Sequence, residues 1–298
     1  MSTNEMSTDE LLAPLRSASG GFAMLALDQR ESLRRMFLTT DDGAVGDGAL
    51  RQFKTKATEI LSPFASAVLL DRPYAVITER PAGIAPGCGL ILAADVLDQP
   101  EGQGVVNTSL DPLITPEFVE RVGAVALKLL VIWRADDRGD ERAELVDSFV
   151  ALAEECGVAS LIEGIVQPQG GDDRETDNAR HEAILAAASE LSSFGGSIYK
   201  AQVPGYIPGN VSMVRAHSER MSEVVDGPWV VLSNGVEQRD FSGAVREACL
   251  GGAHGFLAGR AIWADTVAEE DQSAALSDRS IRRLCDLNQI VEDATGSG

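Results

Sequence analysis

Two lysines lie inside apolar, strand-like segments of this 298-residue chain, where an unpaired charge is costly. Lys128 lies in the run AVALKLLVIW and Lys200 in SIYKAQVP, and the chain has only two other lysines, Lys54 and Lys56. Desolvation and a neighbouring cation both disfavour a protonated amine, so two such lysines at one site would promote each other's deprotonation. A neutral amine is the nucleophile that forms a Schiff base with a carbonyl substrate. The alternative is that each lysine is a paired core ion or extends to the rim.

Glu163 is a carboxylate in a similar setting, within the apolar run ASLIEGIV. Burial favours its protonated form and a nearby lysine favours its ionised form, so the two influences oppose each other. This balance suits a general acid and base. A simple ion-pair partner for Lys128 or Lys200 is the competing interpretation.

Three aspartates end apolar runs. Asp28 is followed directly by Gln29 and Arg30, which makes it the best candidate for a site residue. Asp71 and Asp95 end the next two runs, and aspartate is also common as a helix cap or turn residue. We favour that structural role for Asp71 and Asp95.

Glycine-containing turns follow the last two apolar runs. Glycine lets backbone amides approach an anion closely, and an arginine in the second turn adds a positive charge. The sequence therefore predicts a phosphate site at these two turns, with ordinary strand-end turns as the alternative. Its residues would be Ser233, Gly235, Gly259 and Arg260.

Metal chemistry is not expected, and no cofactor is predicted. The three histidines, His181, His217 and His254, form neither an HxH nor an HExxH pattern. The four cysteines are far apart with no CxxC spacing, which is typical of reduced thiols in a cytoplasmic protein.

These candidate residues lie on eight short apolar runs that alternate with amphipathic stretches. The runs cover residues 20–28, 66–71, 89–95, 124–133, 159–166, 197–204, 228–236 and 254–261. Helices are predicted near 50–61, 141–156, 178–192, 211–223, 237–250 and 279–292. The pattern predicts an α/β fold, a (β/α)₈ TIM barrel, whose active site lies at the carboxyl ends of the strands. A doubly wound sheet is the alternative, but no strand is followed by a dinucleotide-binding glycine turn.

Composition narrows the possible partners. The net charge of −21 argues against nucleic acid and anionic membrane surfaces. The longest apolar run, 125–133, is too short to span a bilayer, and the first ten residues do not resemble a signal peptide. We therefore expect a cytoplasmic protein with one domain over residues 1–298, of which 1–14 would be a flexible extension.

Several of these segments resemble one family. The segments at 19–37, 60–71, 126–134, 228–236 and 255–263 are similar to the bacterial sulfofructosephosphate aldolases, which belong with the class I tagatose-1,6-bisphosphate aldolases. The resemblance implies a metal-independent TIM-barrel enzyme of sulfoquinovose breakdown. Such an enzyme splits 6-deoxy-6-sulfofructose 1-phosphate into dihydroxyacetone phosphate and 3-sulfolactaldehyde. It also makes a homodimer or tetramer plausible.

The same resemblance assigns roles to the candidate residues. It implies that Lys200 forms the Schiff base, that Glu163 is the acid and base, and that Lys128 and Asp28 assist catalysis. The predicted substrate-binding residues are Gln29, Arg30, Ser233, Gly235, Gly259 and Arg260.

The chain also departs from the family pattern. Gln202 stands where the family has a glutamate, Gln167 where it has an arginine, and Asn234 where it has a serine. These changes leave open which group is bound at the far end of the substrate. A tagatose or fructose 1,6-bisphosphate aldolase is the alternative within the same mechanism, and a non-catalytic sugar-phosphate sensor is the alternative outside it.

Overall fold

The computed structural model describes residues 7–37, 45–100, 104–167 and 177–295. Its strands are β1 (Phe22–Ala26), β2 (Ala67–Asp71), β3 (Gly89–Ala93), β4 (Asp95–Asp98), β5 (Asn107–Leu110), β6 (Ala126–Trp133), β7 (Ala159–Val166), β8 (Ile198–Gln202), β9 (Trp229–Leu232) and β10 (Gly255–Ala258). Its α-helices are α1 (Thr8–Leu12), α2 (Glu31–Arg34), α3 (Asp47–Leu61), α4 (Pro116–Val122), α5 (Gly139–Cys156), α6 (Asp177–Ser192), α7 (Val214–Val224), α8 (Phe241–Leu250), α9 (Arg260–Trp263), α10 (Gln272–Ala275) and α11 (Ile281–Thr295).

Eight of the strands form a closed parallel barrel in the order β1, β2, β3, β6, β7, β8, β9, β10 and back to β1. Each predicted apolar run supplies one of these strands, so the predicted (β/α)₈ barrel is confirmed as a single domain. All six predicted helices are also present, with ends that differ by up to four residues. Buried apolar side chains on both faces of the strands are typical of such a parallel sheet.

Side chains two positions apart on a strand share a face, and this alternation divides the core into two layers. One cluster fills the barrel and includes Phe22 and Met24 of β1, Leu161 of β7 and Ile198 of β8. A second, larger cluster packs the outer face of the barrel against the helices. Any polar residue in step with the first cluster therefore points into the barrel.

The amino-terminal end of the barrel is covered by the segment before β1. Ser7 and Glu10 form a capping box at the start of α1, which stabilises this short helix. Leu12 and Leu15 are almost fully buried in the cluster that fills the barrel. The predicted extension over 1–14 thus includes the short helix α1 and the buried Leu12. Residues 1–6 lie outside the described part of the chain.

An antiparallel hairpin of β4 and β5 follows β3, and it was not predicted from the sequence. It begins at the carboxyl end of β3 and thus stands beside the mouth of the barrel. Between β2 and β3 the described residues contain no α-helix, as the three prolines at 73, 81 and 86 predicted. No helix in the described ranges has the length and apolar content needed to cross a membrane.

We predict that Leu15→Ala lowers the free energy of unfolding by about 2–5 kcal/mol, because it removes buried methyl groups and leaves a cavity at the base of the barrel. Denaturant unfolding would measure this change. Leu113→Ala is the matched control, since Leu113 is 57% exposed and its truncation should change the free energy by roughly 0.5 kcal/mol or less. Equal effects of the two substitutions would contradict the burial of Leu15.

Candidate active site

The alternation of strand side chains brings the predicted catalytic residues to the inside of the barrel. Lys128 lies two positions after Ala126, Glu163 two after Leu161, and Lys200 two after Ile198, each in step with a residue of the inner cluster. Glu163 and Lys200 are also direct register partners on the neighbouring strands β7 and β8. These three side chains are nearly buried, with 1%, 7% and 3% of the residue exposed for Lys128, Glu163 and Lys200.

Lys128 is at the centre of the charged cluster. Its Nζ lies 2.6 Å from Oδ2 of Asp28, 2.9 Å from Oδ2 of Asp95 and 3.1 Å from Oε2 of Glu163. The same Oε2 of Glu163 lies 3.0 Å from Nζ of Lys200. Glu163 is therefore shared by the two lysines, whereas Lys128 alone is surrounded by three carboxylates.

This environment fixes the charge of Lys128. Burial alone would lower the pKa of Lys128, but Asp28, Asp95 and Glu163 outweigh it and raise the pKa well above its usual range. Burial likewise would raise the pKa of Asp28, yet the ammonium groups of Lys128 and Lys200 hold it well below the usual range. The expectation that both lysines are easily deprotonated is therefore wrong for Lys128, because its three carboxylates were not foreseen.

Asp71 and Asp95 are buried ion-pair residues, and the cap or turn role favoured for them is wrong. Asp95 accepts from Nζ of Lys128 and from the amide of Leu130, and its Oδ1 lies 2.9 Å from Nη2 of Arg30. Asp71 forms an ion pair with Lys54 of α3, and neither side chain is exposed. Both aspartates follow the inward alternation of their strands, which is why they face the charged cluster.

A cavity of about 230 Å³ opens at the mouth of the barrel, directly against this cluster. Five predicted site residues line it: Asp28, Gln29, Arg30, Glu163 and Arg260. Leu97, Gln99, Gly104 and Val105 of the β4–β5 hairpin segment form part of its wall. Lys128 and Lys200 do not line the cavity themselves, but they form ion pairs with the lining residues Asp28 and Glu163.

The two departures near the strand ends have defined contacts. Gln167 accepts from Arg134 through Oε1 and donates from Nε2 to the carbonyl of Val105 at 2.7 Å, so it links β7 to the hairpin segment. Gln202 is buried and accepts from the amide of Val166 at 2.8 Å. Both glutamines thus carry neutral groups to positions beside the mouth. Pro168 and Gln169 lie outside the described residues.

The predicted phosphate turns lie together at the ends of β9 and β10. Arg260 donates to Oδ1 of Asn234 at 2.5 Å, and both residues line the cavity. Gly235 has a φ of 80°, and a Cβ there would lie 2.5 Å from Nη2 of Arg180, so the turn also runs close to a second arginine. Ser233 is buried at the start of this turn.

Gly259 is a close-contact position between the last strand and the first. A Cβ built on it would lie 2.4 Å from the carbonyl oxygen of Ala26 and 3.0 Å from Nε2 of Gln29. Burial lowers the pKa of the neighbouring Arg260, against the opposing effect of Glu163 and Asp28. The absence of a side chain at Gly259 therefore leaves the space that Gln29 occupies beside the cavity.

No group of three or more histidine, cysteine or acidic side chains within the described ranges is arranged to hold a metal ion. The carboxylates of Asp28, Asp95 and Glu163 converge on the ammonium of Lys128, which occupies the position between them. The rings of His181 on α6 and His217 on α7 contact each other, with their centroids 5.0 Å apart and their planes tilted by 55°.

Three further residues belong to the site and were not foreseen as site residues: Asp95, Arg180 and Lys54. The inward alternation of β3 places Asp95, and this signal was available in the sequence. Lys54 occupies the apolar stripe of α3 together with Leu50, Phe53 and Ala57, which was also readable. The approach of Arg180 to the turn at Gly235 depends on the packing of α6 and has no local signal.

Comparison with known proteins agrees with this geometry. A family model described as DeoC/LacD family aldolase matches residues 22–265. The chain belongs to this family. It is an aldolase, and therefore a lyase.

Two relatives of the aldolase have similar length. Tagatose 1,6-diphosphate aldolase 1 of Streptococcus pyogenes serotype M1 is 26% identical over 311 residues, covering 93% of each chain. Tagatose 1,6-diphosphate aldolase 2 of the same serotype is 27% identical over 308 residues, covering 93% of this chain and 92% of the relative. The alignment therefore spans the whole barrel in both cases.

Two solved structures share the fold of the aldolase. The fructose-bisphosphate aldolase from Plasmodium falciparum superposes with a TM-score of 0.71 at 13% identity, covering 96% of this chain and 94% of that one. An archaeal fructose 1,6-bisphosphate aldolase gives a TM-score of 0.66 at 15% identity, covering 96% and 100%. At these identities the likeness establishes the barrel architecture alone.

We predict that ionised Asp28 stabilises the folded aldolase and that this stabilisation is lost at acid pH. The pKa of Asp28 is lowered in the folded state, so its contribution is fully present above the unfolded value of about 3.9 and is lost progressively as the pH falls from there towards the lower folded value. The difference in unfolding free energy between the wild type and Asp28→Asn should therefore shrink between about pH 5 and pH 3. Denaturant titrations at each pH measure it, with Asp140→Asn on the exposed start of α5 as the control. A difference independent of pH would contradict the prediction.

Proposed function

We propose that the protein is a class I aldolase in which Lys200 forms a Schiff base with the ketose substrate. The observation that supports this most directly is the sharing of Glu163 between Lys200 and Lys128, whose own pKa is raised by three carboxylates. Among the described residues Lys200 forms an ion pair with one carboxylate, Glu163, which lines the cavity where a substrate would lie. A nearly buried amine beside a proton acceptor is the arrangement that imine chemistry needs.

Lys128 is the less suitable nucleophile. Three carboxylates lie within 3.1 Å of its Nζ and raise its pKa, so the amine is held as ammonium. Its Nζ contacts the same oxygen of Glu163, Oε2, that Nζ of Lys200 contacts. We assign Lys128 the role of orienting Glu163 and offsetting the negative charge of the cluster.

The proposed reaction begins with transfer of a proton from Lys200 to Glu163. The free amine attacks the ketose carbonyl carbon, and Glu163 returns a proton to the departing hydroxyl as water leaves and the iminium forms. Glu163 then accepts the proton of the C4 hydroxyl. The C3–C4 bond breaks, its electron pair moves to the iminium to give an enamine, and the aldehyde product leaves. Protonation of the enamine at C3 and hydrolysis of the imine release dihydroxyacetone phosphate.

The remaining site residues would bind the two ends of the substrate. We place the phosphate of the dihydroxyacetone half at the turns of Ser233, Gly235, Gly259 and Arg260, with Arg180 beside them. Asp28 lines the cavity next to Lys128 and would orient the sugar hydroxyls. Gln29 and Arg30 would bind the far end.

For the far end we propose a sulfonate, which makes the substrate 6-deoxy-6-sulfofructose 1-phosphate. A sulfonate carries one negative charge, whereas a phosphate monoester carries −1.5 to −2 at neutral pH. Of the arginines lining the cavity, Arg30 is already paired with Asp95, and the neighbouring donors Gln29 and Gln167 are neutral. This supply of positive charge suits a monoanion better than a dianion.

The second candidate is cleavage of tagatose or fructose 1,6-bisphosphate by the same residues. Its similarity to the two streptococcal relatives, both tagatose 1,6-diphosphate aldolases, favours it. The two candidates differ only in the group at the far end, so they share the imine mechanism. No metal or organic cofactor takes part in either proposal.

We predict that Lys200→Met abolishes covalent trapping by borohydride in the presence of dihydroxyacetone phosphate, along with nearly all turnover. Peptide mass spectrometry of the trapped wild type should locate the adduct on Lys200, and dialysis against EDTA should not prevent trapping. Lys56→Met is the matched control and should be trapped like the wild type. An adduct on Lys128, or one that survives Lys200→Met, would show that the nucleophile is misassigned.

Glu163→Gln should reduce kcat by roughly 10²- to 10⁴-fold, the usual contribution of a general acid and base, because the amide cannot carry protons between the amine and the substrate. The KM should change far less. Glu141→Gln, which alters an exposed ion pair with Arg138, serves as the control and should retain wild-type kinetics. Turnover near that of the wild type would reduce Glu163 to an ion-pair partner.

The substrate proposal is tested by comparing kcat/KM for three compounds in one buffer at one ionic strength. We expect 6-deoxy-6-sulfofructose 1-phosphate to be cleaved with clearly higher efficiency than fructose 1,6-bisphosphate or tagatose 1,6-bisphosphate. The physical reason is the limited positive charge at the far end of the cavity. Equal or better cleavage of either bisphosphate would refute the sulfonate proposal and leave the aldolase mechanism intact.

A further inference from the structure

A second buried ion pair, between Lys54 and Asp71, lies next to Arg30. Lys54 of α3 and Asp71 of β2 pair through Nζ and Oδ1, and the side chains of both are fully buried. Nζ of Lys54 also lies 5.5 Å from the ring centre of Tyr74. A buried ion pair is a weak source of net stability, because desolvation offsets most of the attraction. Its presence beside the mouth therefore calls for another explanation.

The geometry of Arg30 supplies that explanation. Nη2 of Arg30 donates to the backbone carbonyl and to Oδ1 of Asp95, at 2.8 and 2.9 Å. Its Nε lies 3.8 Å from Oδ2 of Asp71, too far for a hydrogen bond. Both of these atoms are buried without a hydrogen-bond partner among the described residues. Asp71 and Arg30 thus form a long ion pair without a hydrogen bond.

Lys54 is the group that restrains Asp71. It binds the other carboxylate oxygen, Oδ1, and offsets the negative charge that would otherwise draw in the guanidinium. Arg30 lines the cavity and is 13% exposed at its side chain. If Arg30 also formed a hydrogen-bonded ion pair with Asp71, two carboxylates would offset its charge. Its guanidinium would then turn towards β2.

We propose that Lys54 is a positioning residue for substrate binding: by holding Asp71, it keeps Arg30 available for the anion at the far end of the substrate. This inference rests on the proposed function only in placing that anion at Arg30. It concerns binding selectivity, and it is independent of which lysine forms the imine.

The test compares two ligands that differ only at the far end, fructose 1,6-bisphosphate and fructose 1-phosphate. Their dissociation constants are measured by calorimetry in Lys200→Met enzyme, which cannot consume them by the proposed route. Adding Lys54→Met should weaken binding of the bisphosphate by about 3- to 30-fold, the scale of coupling between contacting residues. Binding of fructose 1-phosphate should change by less than about twofold, since it presents nothing to Arg30.

The double substitution Lys54→Met with Asp71→Asn provides the decisive arm. It removes the carboxylate that Lys54 restrains, so the affinity for the bisphosphate should return towards that of the Lys200→Met enzyme. Lys56→Met, on the same helix, is the control and should change the dissociation constant of neither ligand. A purely structural role of Lys54 would weaken both ligands together and would not be rescued by the second substitution.

Three results with the Lys54 variants would overturn the inference. They are an unchanged ligand preference in Lys54→Met, an equal loss for both ligands, and a double variant no better than the single one. A preference that Arg30→Met leaves unaltered would also overturn it, because the far-end anion would then lie elsewhere. Failure of the imine proposal would show instead as loss of borohydride trapping in the wild type, a separate outcome.

Discussion

The buried ammonium of Lys128 is the constraint on which the rest of the site depends. A charge with 1% exposure is tolerated only if opposite charges surround it, and three separate segments of the barrel each contribute one. Asp28 follows β1, Asp95 begins the segment after β3, and Glu163 lies on β7. Because these carboxylates must face Lys128, they also fix the positions of Arg30 and Lys200, which share them.

The charges alternate in sign from one contact to the next across the barrel mouth. The sequence of contacts runs through Lys54, Asp71, Arg30, Asp95, Lys128, Glu163 and Lys200. The two barrel lysines differ in these contacts: three carboxylates surround Lys128 and raise its pKa, whereas Lys200 pairs with Glu163 among the described residues. Three of the four lysines of the chain lie in this series, while the surface uses arginine.

Much of this arrangement was readable from the sequence. Eight apolar runs predicted the barrel. Lys128 and Lys200 indicated the site, because a charged side chain within an apolar strand is costly unless it is paired or functional. The alternation of side chains along the strands also predicts that Asp71 and Asp95 face the inside of the barrel. We missed this because we interpreted both as helix caps or turn residues. The raised pKa of Lys128, the β4–β5 hairpin and the approach of Arg180 depend on contacts between distant segments, which local patterns do not encode.

The central claim, that Lys200 reacts while Lys128 remains an ammonium, is open to direct observation because the chain has only four lysines. Labelling with lysine enriched in ¹⁵N at Nζ gives a nitrogen NMR spectrum of four side-chain signals, assigned by single Lys→Met variants. On addition of dihydroxyacetone phosphate, we expect the Lys200 signal alone to move to the imine region while that of Lys128 keeps the shift of a protonated amine. Movement of the Lys128 signal to the imine region, or no imine signal at all, would contradict the account.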